Sequence, residues 1–442
     1  MTDLLYARLQ MAFSLGFHII FAAIGIAMPV LMTMSELQWR RTGDRIWEQL
    51  TRQWAKGTAI FFAVGAVSGT ALSFELGLLW PGFMEHAGAV IGFPFSLEGF
   101  AFFTEAIFLG LYLYGWEKLS PRAHLLCGVV VAASGAASAF FVITANAWMN
   151  TPAGFTYHPE TGTFTDIDPI AAMFNPGWAP QVAHMLVAAY MATAFGVAGV
   201  HALALLRRPG HAFHRRALAL AMVMAIPAAL VQPLTGDWAA KVVARNQPVK
   251  LAAMEGQFQT ERRAPLRIGG VPDERAGATR WALEAPGMLS FLAYGDFNAE
   301  VKGLLAFPRD QWPPVAVTHV AFQLMVGCGT LMALVAIWFA AAAWRRRGTP
   351  TGRRLLRAVV VCAPLGFAAI EFGWVVTEVG RQPWIIHGVM RTSEALTPMP
   401  GLVGPFLVFT ALYTALGVVV ARVMTLHVRA ATTAAEADDG VA

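Results

Sequence analysis

Nine separate apolar runs, each long enough to cross a bilayer, limit what this 442-residue chain can become. A crossing takes roughly 20 residues of helix, and within lipid every backbone N–H and C=O must find its partner inside the segment. The runs lie near 11–34, 55–80, 95–116, 125–148, 181–206, 217–236, 313–343, 358–379 and 403–424. They predict an all-α, polytopic membrane protein. Only 13% of residues are charged and 57% are hydrophobic, whereas a soluble domain carries about 25% charged residues. The first run follows no basic leader and meets no small-residue cleavage site, so it reads as a retained helix.

Basic residues alternate between the connections. The first holds Arg40, Arg41, Arg45, Arg52 and Lys56; the third Lys118 and Arg122; the fifth Arg207, Arg208, Arg215 and Arg216; the seventh Arg345, Arg346, Arg347, Arg353, Arg354 and Arg357. The second and fourth hold none. By the positive-inside rule the odd connections are cytoplasmic, which puts the N-terminus outside and the C-terminus inside. The net charge of +5 is thereby a matter of membrane sidedness, and nucleic acid is not an expected partner. Four parts follow: helices 1–6 over 1–236, an extracytoplasmic loop over 237–312, helices 7–9 over 313–426, and a frayed cytoplasmic tail over 427–442. A polar loop of that length is usually functional. Cys127, Cys328 and Cys362 all lie in apolar stretches and form no CxxC pair, which gives little support to zinc, iron–sulfur or disulfide chemistry.

Ionisable side chains inside membrane helices are costly and mark function by default. Here they are His18, Glu75, Glu98, Glu105, His184, His201, Glu371 and Glu378, with Met325 as a possible soft ligand. Glu105 follows Glu98 by two turns on one helix face, about 10 Å along the axis; Glu371 and Glu378 repeat that spacing. With the predicted orientation, His18, Glu98, His184, Met325 and Glu378 all fall in the outer half of the membrane. Glu75 and His201 read as helix-packing residues, and Ser138 most simply does too. His with Met is a known pair of haem-iron ligands, and a haem with one open face can bind O₂. Spacing alone leaves other readings open, among them a proton-coupled transporter using the Glu chain and an electron-transfer cytochrome b without oxygen chemistry.

A set of blocks then narrows the choice. Gly373-Trp374 precedes Glu378-Val379-Gly380-Arg381-Gln382-Pro383-Trp384. Upstream stand Arg8-Leu9-Gln10, Phe17-His18, Leu97-Glu98-Gly99-Phe100, Phe103-Thr104-Glu105, Asn146-Ala147-Trp148-Met149, Val182-Ala183-His184, Lys250-Leu251-Ala252-Ala253-Met254-Glu255 and Leu324-Met325-Val326-Gly327. In this order, over nearly the whole chain, they resemble the large haem-bearing subunit of cytochrome bd-type quinol oxidases. The resemblance implies a quinol:O₂ oxidoreductase of the bacterial inner membrane that generates proton motive force without pumping. It implies a low-spin haem b on His184 and Met325, a high-spin haem b, and a haem d or further haem b. His18 would bind one high-spin haem, Glu378 would be the likelier carboxylate ligand beside Glu98, and Arg381 and Trp374 would support the pair. Glu105 and Ser138 would belong to a proton path, and Lys250 and Glu255 would handle quinol. A second large subunit is implied, and often a single-helix one. Two departures stand out. Gln323 occupies the position, two before Met325, where well-known members carry Arg, and the outer loop lacks the long insertion of some members, as in the cyanide-insensitive branch.

Overall fold

The structure, a computed structural model, describes residues 3–439, with side chains described as far as residue 430. Among the described residues nine helices are long and apolar enough to cross a membrane. The chain begins with α1 (Asp3–Thr42), α2 (Arg45–Leu79), α3 (Pro81–Tyr114) and α4 (Pro121–Asn150). A hairpin of β1 (Thr156–His158) and β2 (Thr163–Thr165) and the short α5 (Pro169–Met173) lead to α6 (Trp178–Arg207) and α7 (Ala212–Asn246). Next come α8 (Pro248–Glu255), β3 (Glu261–Arg262), β4 (Leu266–Ile268), β5 (Val271–Asp273), β6 (Ala278–Arg280), β7 (Leu283–Ala285), α9 (Met288–Tyr294) and β8 (Glu300–Val301). The chain returns through α10 (Val315–Arg346), α11 (Arg353–Cys362) and α12 (Leu365–Val379). It closes with β9 (Trp384–Ile386), β10 (Met390–Arg391) and α13 (Val403–Asp439).

The helices outrun their apolar stretches. α3 starts at Pro81 rather than near 95, which sets Glu98 midway along the helix instead of near its end. Similarly, α7 continues past 236 to Asn246, so the long loop spans 247–314. Residues 427–439, expected as a frayed tail, continue α13, and 440–442 lie outside the described residues. The eighth crossing is broken between α11 and α12, where Pro364 has no N–H to give the ladder.

Small residues let the helices approach closely. A Cβ on Gly199 of α6 would lie 2.4 Å from Ala363 Cβ, and one on Gly366 of α12 would lie 2.4 Å from Ala192 Cα. Buried side chains of α1, α6, α7, α10 and α11 form the main core. Phe74, Phe100, Leu234 and Val408 face outward and are mostly exposed, as befits a surface wetted by lipid. Polar contacts mark the two ends. At the arginine-rich end Arg216 pairs with Asp44, and the Arg52 guanidinium lies 4.1 Å from the Trp116 ring centre. At the other end Arg391 reaches Asp310 of the long loop at 2.5 Å. That loop folds as a nested ladder: Glu261 pairs with Val301, Leu266 with Ala285 and Val271 with Arg280.

Candidate functional site

His184 stands two turns into α6, packed on α7. Its Nδ1 lies 3.2 Å from Thr235 Oγ1, whose own hydrogen goes to the Gln232 carbonyl at 2.9 Å. The hydroxyl therefore accepts from Nδ1–H, and this tautomer leaves a lone pair on Nε2. Gln232 Nε2 sits 3.2 Å from each of the two ring nitrogens. A Cβ at Gly236 would come within 3.3 Å of the ring. His18 of α1 repeats the device against α2. Its Nδ1 is 3.0 Å from Ser68 Oγ, which donates to Val64 O at 2.8 Å, so Nε2 again keeps its lone pair. Gly69 is small because a Cβ there would sit 2.9 Å from the His18 ring. A hydroxyl fixing the tautomer behind an imidazole is what an iron-ligating histidine requires.

Met325, on α10, points its sulfur at α12: a Cβ at Gly373 would lie 3.1 Å from Sδ. The glycine of the Gly373-Trp374 block is thus the space the thioether occupies. At the end of α12, Glu378 is held from two sides. Oε1 accepts from Asn146 Nδ2 at 2.6 Å and Oε2 from Arg381 Nη2 at 2.5 Å. The chain of contacts continues through α4, where Asn150 Nδ2 donates to Asn146 O at 3.0 Å. Asn150 Oδ1 in turn accepts from Lys250 Nζ at 3.0 Å, and Lys250 also donates to Thr377 O at 3.1 Å. Of the two residues expected to help bind or deprotonate quinol, Lys250 is buried and joins this network.

Glu255 ends α8 on another face. It is buried, with Oε2 lacking a hydrogen bond, and burial pushes its carboxyl up to about 8 against the opposing pull of Arg267. Burial, followed by Arg381, brings the Lys250 ammonium down to about 7, with Glu378 opposing.

Between α3 and α4, Ser138 donates to Glu98 Oε1 at 3.0 Å, whereas Glu105, two turns along α3, lies against Gly135, where a Cβ would be 3.4 Å from its carboxylate. Ser138, read from the sequence as a helix-packing residue, is therefore a hydrogen-bonding partner of Glu98. Glu371 bridges α12 to α1: a Cβ at Gly16 would lie 3.1 Å from Oε2. Glu75 accepts from Ser14 at 2.9 Å in a buried packing contact, and His201 lies 2.9 Å from His214 toward the arginine-rich end.

The donor set suits haem. Among the described residues no three His, Cys, Asp or Glu side chains gather around a bare metal ion, so ligand-capable groups stand singly. Arg381 is only 3% exposed, yet its Nε and Nη1 have no partner, and neither have Trp374 Nε1 and Glu371 Oε1. Buried donors left unpaired are expensive, and an anionic propionate is the complement that Arg381 and Trp374 lack. Asn146, Asn150, Ser68, Thr235 and Gln232 escaped the sequence reading. Asn146 lay inside a quoted block, and the hydroxyls stood one helix away from the histidines they hold.

Residues 6–432 match the family described as cytochrome bd terminal oxidase subunit I. A Bacillus subtilis (strain 168) chain assigned by its name to a cytochrome bd menaquinol oxidase as subunit I is 39% identical, over 97% of each chain. Subunit 1 of a cytochrome bd ubiquinol oxidase from the same organism is 31% identical over 90% of this chain and 87% of its own. The solved structure of the bd oxidase from Geobacillus thermodenitrificans superposes with a TM-score of 0.90 at 39% identity, covering 97% of this chain and 98% of that one. By its fold and by these matches, the chain belongs to the family of cytochrome bd terminal oxidase subunit I, the haem-bearing membrane core of a respiratory quinol oxidase.

Proposed function

We propose that this quinol oxidase subunit takes electrons from quinol at the end of the bundle that carries the long loop and reduces O₂ to water. Subunit I implies a subunit II beside it, and a single-helix subunit would complete the complex. His184 and Met325 would hold a low-spin haem b; His18 and Glu378 would serve the high-spin pair, a haem b with a haem d or a further haem b. When bound, these groups supply one-electron transfer and an O₂-binding iron. Everything else falls to the chain. Thr235 and Ser68 aim the imidazoles. Arg381 balances the Glu378 carboxylate and would offer its Nε and Nη1 donors to a propionate. Glu255 accepts a quinol proton in a dry site. Glu105 and the Ser138–Glu98 pair hold protons bound for the oxygen side. With the loop outside and the arginine-rich end in the cytoplasm of a bacterial inner membrane, release and uptake of protons on opposite sides charge the membrane without a pump.

One observation carries this reading: the unbroken contact chain from Lys250 through Asn150 and Asn146 to Glu378 and Arg381, ending in buried unpaired donors. It joins the loop to buried polar groups of Arg381 and Trp374 that no protein atom satisfies. Visible spectra of the purified complex test it. His184→Ala should remove the low-spin b bands and His18→Ala a different, high-spin set. Loss of the same bands in both variants would end the assignment.

A further inference from the structure

Gln323 stands where the family resemblance leads one to expect Arg, and its surroundings give it other work. It lies one turn beyond His319 on the same face of α10. Both ends of its amide are used: Oε1 accepts from Gly269 N at 3.0 Å, and Nε2 donates to Arg267 O at 3.0 Å. His319 is fully buried. Its Nδ1 lies 2.8 Å from Met254 O and its Nε2 3.1 Å from Gly269 O, and an imidazole with one ring N–H donates to one of these carbonyls while packing against the other. Two side chains of one helix thus grip the loop backbone at residues 254, 267 and 269. Every partner is main chain, so the grip fixes where the loop runs, whatever its side chains are.

The gripped points surround Glu255. Met254 precedes it, and Gly256 follows it with φ +60°, a left-handed turn that glycine adopts freely. A Cβ at Gly256 would lie 2.4 Å from Thr279 Oγ1 and 3.3 Å from the His319 ring, while Thr279 donates to Gly256 O at 2.7 Å. The Arg267 guanidinium, next to the gripped carbonyl, bonds Gln257 Oε1 and lies 3.0 Å from Glu284. At the other end of the grip, Gln323 is two residues from Met325.

We infer that His319 and Gln323 are positioning residues for quinol oxidation, fastening the loop segment that carries Glu255 to the helix that carries Met325. The proton-accepting carboxylate and the haem-ligand helix then keep one separation, on which electron transfer and proton removal both depend. The inference rests on the proposed roles of Glu255 and Met325.

The test uses the purified complex. Gln323→Leu keeps approximate volume and removes both hydrogen bonds; Thr279→Val, which touches only the loop, is the milder companion. Four quantities are read: KM and kcat for a soluble quinol analogue, O₂ uptake driven by a chemical reductant that bypasses the quinol site, the low-spin α band, and tryptic cleavage at Arg262, Arg263 and Arg275. Gln323→Leu should raise KM about tenfold, as loss of two hydrogen bonds implies. Loop cleavage should quicken while the α band and reductant-driven uptake hold. Thr279→Val should move KM and cleavage the same way by less. A KM within twofold of the parent with unchanged cleavage overturns the inference. So does parallel loss of the α band and of both reactions, which would place Gln323 in service of the haem. Glu255→Gln run alongside separates the underlying reading: normal quinol turnover there removes the site that the grip would position, whatever Gln323→Leu does.

Discussion

Lys250 Nζ lies 3.0 Å from Asn150 Oδ1, and so belongs with Glu378 rather than with Glu255 five residues later. An ammonium buried among amides with its proton affinity brought down to about 7 leaves a trace in stability. The folded state binds the Lys250 proton more weakly than the unfolded chain, whose lysine holds the ordinary value of 10.5. Burial of Lys250 therefore costs most below about pH 7, and the cost fades as pH rises toward 10. Against the parent, Lys250→Met should gain relative thermal stability as pH is lowered from 10 to 7. A Tm difference that stays flat across that window would show that Lys250 is not desolvated as described.

Glu255 shows the opposite sign. Its carboxyl is pushed up from 4.5 to about 8, so the neutral form is favoured in the fold, and stability is lost as pH rises from about 4.5 through 8. As a base it works only when ionised. Quinol turnover should rise through about pH 8, and Glu255→Gln should lower it by about 100-fold or more and flatten that rise. Reductant-driven O₂ uptake should stay near the parent rate. Equal loss of both reactions would instead place Glu255 at the oxygen side or in folding.

Met325→Leu keeps approximate volume but removes the sulfur. The low-spin haem should turn high-spin or be lost, and quinol oxidase activity should collapse. Gly373→Ala is the subtler probe, because the new methyl would stand 3.1 Å from Sδ. It should shift the low-spin α band without abolishing it. An unchanged α band in Met325→Leu would make the residue a packing group.

Glu105 and Glu98 share a helix face and a proposed proton path, but their partners differ. Glu105→Gln should slow oxygen reduction by about 100-fold at a proton-coupled step, with every haem band in place. Ser138→Ala should instead follow Glu98→Gln, since Ser138 bonds Glu98 at 3.0 Å. Flow-flash kinetics with parallel membrane-potential recording would read both. Parent rates in Glu105→Gln would exclude a relay there.

The crossings and the ligand-capable side chains were legible because lipid admits so few alternatives: long apolar runs, and polar residues conspicuous within them. Helix ends were not. α3 extends from near 95 back to Pro81 across Glu85 and His86, which interrupt an apolar pattern without interrupting backbone hydrogen bonds. Partnerships between helices were also hidden. Helical spacing within α4 gave no sign that Ser138 would bond Glu98 of α3. Asn150 was invisible as a link because its two partners lie about a hundred residues along the chain, at Lys250, and one turn away, at Asn146.

The nested pairing of the long loop has a consequence for how such a chain can vary in length. Its ladder is closed at the base by Glu261 with Val301, and the innermost rung joins Asp273 to Ala278. The tip between them is an exposed turn in which Asp273 Oδ1 accepts from the N–H groups of Arg275 and Ala276, each at 3.0 Å. Extra residues inserted there would lengthen the arm outward like added links at the free end of a chain. The foot of the arm, where α8 and α10 meet it, would keep its shape. Relatives with longer arms could thus differ in reach toward neighbouring molecules while sharing one hinge geometry.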